Sequence, residues 1–176
     1  MKRFILTGTP GSGKTSILQA LGDQGHTTIP EGATDVIAFE QALGIDAPWQ
    51  NPTFLNQIVT LQKERQTLAV SGEIQFYDRS PLCTLALARY LGFDPSSLLM
   101  QEIERIQSQN IYETTVFFIQ NLGFITPTDA RQISYEESLK FEKIHLEVYQ
   151  EFGYTCLTVP SGTILERVET ILKNVR

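Results

Sequence analysis

The chain has 176 residues and a net charge of −6, with 41% hydrophobic and 19% charged residues. This composition is typical of a globular protein, and the length fits one domain over 1–176. The absence of a Lys/Arg cluster argues against a nucleic acid polymer as partner. No segment reaches the ~18 apolar residues of a membrane span, so we expect no membrane association.

Short apolar runs alternate with segments of helical periodicity, which predicts an α/β fold with a parallel sheet covered by helices. We predict five strands, at residues 3–7, 26–30, 73–77, 114–119 and 154–159. We predict helices at residues 14–23, 33–43, 52–68, 81–90, 95–107, 135–152 and 162–175.

Local signals support several of these boundaries. Asn51-Pro52 and Asp94-Pro95 each combine an N-cap residue with a proline in the first helical turn. Ser134-x-x-Glu137 is a capping box. The run 114–119 is the most β-like of the chain and predicts a central strand. The stretch at about 120–134 lacks periodicity, and we interpret it as a short lid loop.

Residues Gly8 to Thr15 read G-T-P-G-S-G-K-T and match the phosphate-binding loop pattern G-x-x-x-x-G-K-[ST]. The loop follows a predicted strand and precedes a predicted helix, which is the context that phosphate binding requires; the alternative is an ordinary Gly-rich turn. We expect Lys14 to reach the β- and γ-phosphates and Thr15 to ligate Mg²⁺. The residues predicted to bind nucleotide are Gly8, Thr9, Pro10, Gly11, Ser12, Gly13, Lys14, Thr15 and Ser16.

Polar residues also follow the second and third predicted strands, where the carboxyl ends of parallel strands form a ligand crevice. Asp78 is a candidate for holding Mg²⁺, or a turn or helix cap. Glu31 is a candidate general base for transfer to a hydroxyl, or a first-turn Glu favoured by the helix dipole. Arg79 suits phosphoryl oxygens, or forms a structural ion pair with Glu31 or Glu73.

Two other polar side chains are candidates for the site. Arg131 lies in the lid stretch and is a candidate for closing over the phosphates; the alternative is a solvated loop cation. Gln62 could touch the acceptor, although we expect it to be an exposed polar residue of its helix. The two histidines, His26 and His145, are interpreted as structural or surface residues, and the cysteines as buried thiols that suit a cytoplasmic location.

On the loop, Glu31, the Asp78-Arg79-Ser80 element and Arg131, the chain resembles the nucleoside and nucleotide kinase branch of phosphate-loop proteins. It is most similar to small ATPases related to the nicotinamide-riboside kinase domain. The resemblance implies a three-layer fold with strand order 2-3-1-4-5, and ATP and Mg²⁺ as cofactors. It also implies that Glu31 is the base. The chain departs from deoxynucleoside kinases in having Cys83-Thr84 where those enzymes carry a sugar-binding carboxylate.

These features predict a kinase that transfers the ATP γ-phosphate to a hydroxyl or phosphate group of a small-molecule acceptor, which is a nucleoside, a nucleotide or a vitamin-like compound. Two alternatives stay open: a nucleotide-dependent switch or NTPase, and a catalytically weak ATP-binding module. The chain has no N-K-x-D guanine-reading motif, so ATP is preferred over GTP. The acceptor's identity and the oligomeric state are open, with a homodimer as one option.

Overall fold

The computed structural model describes residues 1–122 and 134–175. Within these residues one sheet holds five strands, each parallel to its neighbours, in the order β2-β3-β1-β4-β5. The strands are β1 (Lys2–Thr7), β2 (Thr27–Ile29), β3 (Ile74–Asp78), β4 (Thr115–Ile119) and β5 (Thr155–Val159). The predicted sheet and its strand order are confirmed, and β1, which leads into the Gly-rich loop, occupies the centre.

Helices cover both faces of the sheet, and all but the last lie in the connections between its strands. They are α1 (Lys14–Asp23), α2 (Ala33–Ala42), α3 (Thr53–Leu68), α4 (Pro81–Leu91), α5 (Ser97–Ser108), α6 (Tyr135–Glu151) and α7 (Ile164–Leu172). A short 3-10 helix (Pro48–Gln50) lies between α2 and α3.

The alternating directions of strand side chains divide the core into two apolar layers. Phe4 and Leu6 of β1 point to the face covered by α1 and α7. Ile5 points to the opposite face, where it packs with residues of α3, α4, α5 and α6. Because both faces of the central strands are buried, their sequences are continuously apolar rather than alternating. The chain therefore has the predicted three-layer architecture.

Three of the predicted helix starts are displaced, and that of α7 moves from residue 162 to Ile164, with Thr163 as its N-cap. The prediction of Asp94-Pro95 as an N-cap and first turn is wrong, because Ser96 caps α5 and its Oγ accepts a hydrogen bond from the Leu99 amide at 3.2 Å. The Ser96 hydroxyl also contacts Asn56 Oδ1 at 2.5 Å, so a tertiary contact selects Ser96. At α3 the helix begins one residue later than predicted, although Asn51 Oδ1 still accepts from the Thr53 amide at 3.0 Å.

Other local predictions are confirmed. Ser134 and Glu137 form the reciprocal capping box at the start of α6. Most of the predicted lid, including Arg131, lies outside the described residues. Among the helices of the described ranges, none has both the length and the apolar character needed to cross a bilayer.

Candidate functional site

The Gly-rich loop connects β1 to α1 at the carboxyl edge of the sheet, and its backbone requires glycine. Gly8, Gly11 and Gly13 all have positive φ, at 136°, 81° and 87°. A Cβ on Gly8 would lie 2.4 Å from the carbonyl oxygen of Ile119. Residues with side chains rarely adopt such angles, and the neighbouring strand leaves no room for one. The sequence of the loop is therefore dictated by its shape.

The first turn of α1 opens toward a cavity of about 540 Å³ that Gly11, Gly13 and Lys14 help to line. Gly13 is the N-cap and has no side chain to bond the first amides of the helix. Unsatisfied amides and the helix dipole make such a terminus a site for anions. The loop and helix thus present hydrogen-bond donors to the cavity.

The Lys14 ammonium is buried, at 6% exposure, and folds back onto its own loop. Its Nζ donates to the carbonyl of Thr9 at 2.8 Å, to the carbonyl of Gly8 at 3.2 Å and to Ser12 Oγ at 3.3 Å. Burial, helped by the nearby Arg79 charge, lowers the pKa of Lys14 from 10.5 to about 8. A bound phosphate would replace these neutral oxygens with charged ones around the Lys14 ammonium. The negative charge would raise the pKa of Lys14 toward its ordinary value.

The register of the sheet brings the predicted acidic residues to the same cavity. Asp78 is the last residue of β3 and is paired in register with Leu6 of β1, just before the loop. Asp78 is buried, and it lines the cavity together with Thr15 and Glu31. Mg²⁺ in phosphate sites takes one or two carboxylates with phosphate oxygens, so a carboxylate and a hydroxyl facing a phosphate cradle fit this ion. Within residues 1–122 and 134–175, no cluster of three or more His, Cys, Asp or Glu is arranged to hold a metal.

Arg79 adopts a left-handed backbone conformation with φ 73°. Such a conformation costs an Arg about 1–2 kcal/mol and persists where its surroundings enforce it. Here the amide of Arg79 donates to Leu6 at 3.0 Å, its Nε donates to Glu31 Oε1 at 2.5 Å, and its Nη1 donates to His145 Nε2 at 3.2 Å. These three hydrogen bonds hold the strained backbone in place and keep the guanidinium at the cavity.

The Glu31 carboxylate is held by two donors, Arg79 and the Thr34 hydroxyl, the latter at 3.0 Å. Burial acts to raise its pKa, but the charges of Arg79 and Lys14 and these two hydrogen bonds outweigh it, so that the pKa of Glu31 lies below its ordinary value. Glu31 is therefore an ionised acceptor at neutral pH. The ion pair with Arg79 predicted as an alternative is present, and it lies inside the cavity.

His145 of α6 is the second side chain that contacts the Arg79 guanidinium. It is fully buried, and its Nδ1 lies 2.9 Å from the Phe141 carbonyl. Since a carbonyl only accepts and a guanidinium only donates, Nδ1 carries the proton and Nε2 accepts from Arg79. Burial, with the Arg79 charge, lowers the pKa of His145 to about 3. Sequence reasoning left this residue outside the site, although its four-residue spacing from Phe141 and Tyr149 indicates one inward helix face.

Next to the Glu31–Arg79 pair the cavity is lined mostly by apolar side chains, and we call this part of it the chamber. Its walls come from α2, the 3-10 helix, α3, α4 and α6: Ile37, Trp49, Phe54, Leu87, Tyr90 and Phe141. Gln62 and Thr84 place the main polar pair in this wall, with Thr84 Oγ1 donating to Gln62 Oε1 at 3.0 Å. The expectation that Gln62 is an exposed helix residue is wrong, because α3 turns this position toward the chamber.

Of the remaining predicted loop residues, two line the cavity and two are buried. Pro10 and Ser16 line the cavity, whereas Thr9 and Ser12 are buried. Cys83, predicted to be a buried thiol, is buried and also borders the cavity, where Tyr149 Oη lies 3.1 Å from its sulfur.

Comparison with solved structures finds the same fold in several proteins. Deoxyadenosine kinase from M. mycoides with bound dATP gives a TM-score of 0.64 at 15% identity, over 98% of both chains. Thymidylate kinase from Ehrlichia chaffeensis gives 0.65 at 17% identity, over 99% of this chain and 98% of that one. NadR protein in complex with NAD and AMP-PNP gives 0.67 at 18% identity, over 97% of this chain and 47% of that one. At these identities the likeness establishes the fold.

At the level of sequence, a family model described as an AAA domain matches residues 3–167. A search of curated proteins finds no significant match.

Proposed function

The chain belongs to the AAA domain family, and we propose that it is a kinase that transfers the ATP γ-phosphate to a hydroxyl group of a small-molecule acceptor. The observation that carries this proposal is the continuity of one cavity, from the phosphate loop past Glu31 and Arg79 into the chamber beside Trp49. A switch or NTPase uses water as the acceptor and has no need of such a chamber. The deoxyadenosine and thymidylate kinases that share the fold are kinases by name.

The donor end of the cavity provides the groups that a triphosphate requires. Amides of the loop and of the first turn of α1 would cradle the phosphate oxygens. Lys14 would exchange its loop carbonyls for the β- and γ-phosphates. Thr15 and Asp78 would hold Mg²⁺, which when bound supplies charge neutralisation between the phosphates.

Glu31 is proposed to accept the hydroxyl proton. The acceptor oxygen forms a bond to the γ-phosphorus, the bond from that phosphorus to the ADP oxygen breaks, ADP leaves with the electron pair, and the proton passes to Glu31. Because the pKa of Glu31 lies below its ordinary value, it is a weak base. We therefore expect a contribution at the lower end of the range for positioned bases, about 10²-fold.

Arg79 is proposed to orient Glu31 and to stabilise negative charge on the transferring group. Its guanidinium stays charged at every accessible pH, and its fork of donors engages Glu31 on one side and His145 on the other. Arg131, in the predicted lid, remains a prediction for a second cation that closes over the phosphates.

The chamber supports an acceptor with a flat or apolar body. Aromatic walls bury such a body, and Gln62 with Thr84 offers hydrogen bonds to a polar edge. Both members of this pair are neutral. Deoxynucleoside kinases, in contrast, carry a sugar-binding carboxylate at the positions where this chain has Cys83-Thr84. The hydroxyl pattern of the acceptor would then differ from that of a deoxyribose held by a carboxylate.

Product analysis with γ-labelled ATP tests the proposal. The wild type is incubated with Mg²⁺ and a panel of nucleosides, nucleotides and vitamin-like alcohols, beside Lys14→Ala and, as a matched control, Lys63→Ala, whose ammonium pairs with Glu102 away from the cavity. We expect label on one acceptor class with the wild type and Lys63→Ala, and none with Lys14→Ala. Release of inorganic phosphate alone, unaffected by any acceptor, would replace the kinase by an NTPase. Binding without turnover would replace it by a weak ATP-binding module.

We place this activity in the cytoplasm, with a small-molecule partner. Both cysteines, Cys83 and Cys156, are free thiols in the described structure, which suits a reducing compartment.

A further inference from the structure

Arg167 of α7 is a buried cation that reaches the phosphate loop from behind. It is 3% exposed, although it lies in a helix whose outer face is exposed. Its Nη1 donates to the Ser12 carbonyl at 2.7 Å, and its Nη2 donates to the Gln120 carbonyl at 2.7 Å. One guanidinium therefore joins the loop to the residue that follows β4.

The contact with Ser12 orients the next amide of the loop. In a trans peptide the carbonyl and the amide of one unit point in opposite directions. Arg167 holds the Ser12 carbonyl on the side of α7, so the amide of Gly13 points away from α7. Gly13 lines the cavity, and its amide belongs to the set that faces a phosphate.

The Arg167 guanidinium lies so close to Gly13 that a residue without a side chain fits best there. A Cβ on Gly13 would lie 3.1 Å from Arg167 Nη1, so a side chain there would press against the guanidinium. Gly13 is thus required for its φ of 87° and also for the space that Arg167 occupies.

A buried cation is costly unless its donors are satisfied, and Arg167 is satisfied only in part. Within the described part of the chain its Nε has no hydrogen-bond partner, and its two bonds go to neutral carbonyls. Such an arrangement is a poor stabiliser of the fold. It does place a fixed positive charge behind a loop that is built for anions, and this charge attracts phosphate.

We propose that Arg167 is a positioning residue for the polyphosphate: it fixes the Ser12–Gly13 peptide with its amide toward the cavity and adds positive charge behind it. The proposal rests on the proposed nucleotide site. It predicts that Arg167 contributes to the binding of ATP, the phosphoryl donor, and not to the binding of the acceptor.

The test compares Arg167→Met and Arg167→Lys with the wild type. Arg105→Met serves as the matched control, because Arg105 also has its donors on protein groups, Glu102 and Gln66, but lies outside the cavity. Binding of Mg²⁺-ADP and of inorganic tripolyphosphate is measured by calorimetry, and unfolding is followed by circular dichroism.

We expect Arg167→Met to weaken the binding of both ligands by about tenfold or more, because the Ser12–Gly13 peptide loses the charged donor that orients it and the phosphates lose the positive charge behind the loop. Arg167→Lys keeps the charge but not the fork, and it should lie between Met and the wild type. Arg105→Met should bind both ligands with wild-type affinity, even where it unfolds more easily. In the transfer reaction, the KM for ATP should rise while the acceptor KM and kcat at saturating ATP stay unchanged.

Wild-type affinity for both ligands in a folded Arg167→Lys and Arg167→Met would overturn the positioning role. An equal loss in Arg105→Met would overturn it too, because the effect would then be one of general stability. If Arg167→Met does not fold, the folded Lys variant decides, through its ADP affinity and the split between the two KM values. If the wild type binds neither ligand, the proposed function itself fails.

Discussion

The nucleotide affinity of this protein should depend on pH through a single buried amine. In the free protein, burial and the Arg79 charge hold the pKa of Lys14 at about 8, against an ordinary value of 10.5. A bound β-phosphate stabilises the ammonium and raises the pKa again. The free pKa is thus lower than the bound pKa, so that binding takes up a proton. It follows that affinity is highest below about pH 8 and falls as pH rises toward the bound pKa.

The magnitude follows from the fraction of Lys14 that is protonated before binding. With a free pKa of about 8, about a quarter of the amines are protonated at about pH 8.5, so each ADP should take up about three-quarters of a proton. Between about pH 7.5 and pH 9 the ADP affinity should fall about eightfold. ADP suits the experiment because its terminal phosphate loses its last proton near pH 6 to 7, below this window.

Calorimetry in two buffers with different ionisation enthalpies measures the proton uptake directly. Lys14→Met is the control, because it removes the titrating amine while keeping a chain of similar length. Its affinity should be lower and nearly independent of pH across the window. An ADP affinity that is flat with pH in the wild type, or proton uptake that persists in Lys14→Met, would refute the assignment of this linkage to Lys14.

Three further perturbations test other parts of the site. Gly8→Ala should lower the free energy of unfolding by about 2–5 kcal/mol, because the new Cβ meets the Ile119 carbonyl and the φ of this residue is unfavourable for alanine. Gly25 also has a positive φ but has open surroundings. Gly25→Ala should therefore lower the free energy of unfolding by only about 1–2 kcal/mol in the same denaturant titration. Glu31→Gln should slow transfer by about 10²-fold with ATP affinity retained, and an unchanged rate would reduce Glu31 to a helix-start residue. Thr84→Val should raise the acceptor KM about fivefold to tenfold without changing the KM for ATP, and a change confined to ATP would contradict an acceptor role for the chamber.

Most of the fold could be predicted from the sequence because strands and helix ends are specified by residues close to one another in the chain. The apolar run of β4 and the capping box of Ser134 and Glu137 act within a few residues, and both are confirmed. The start of α5 was predicted wrongly for the opposite reason. Asp94 and Ser96 are both good caps, and the contact of Ser96 with Asn56, 40 residues away, decides between them.

The site divides in the same way. The Gly-rich loop could be predicted from the sequence because its backbone angles require glycine at fixed positions. The inward position of Gln62 depends on how α3 rotates against the sheet, which no short pattern records. His145 differs, because its four-residue spacing from Phe141 and Tyr149 is a signal that the sequence does contain. Arg167 contacts Ser12 across 155 positions of sequence, and a lone Arg in an amphipathic helix gives no signal of such a contact.

The Glu31–Arg79 pair shows why two readings of one residue need not exclude each other. Sequence reasoning set a functional Arg79 against a structural ion pair. In the structure the ion pair exists, at 2.5 Å, and it borders the cavity between the phosphate loop and the chamber. A paired Arg with a strained backbone is well placed to orient its carboxylate partner, and the pair is proposed to work as a unit.

The most direct test of the central claim is equilibrium binding of Mg²⁺-ATP to the wild type and to Lys14→Ala, with circular dichroism to verify that both are folded. The claim that the loop from Gly8 to Ser16 holds a polyphosphate predicts saturable binding at one site per chain, lost or strongly weakened in a folded Lys14→Ala. Absence of binding to the wild type, or equal binding to the folded variant, would contradict it.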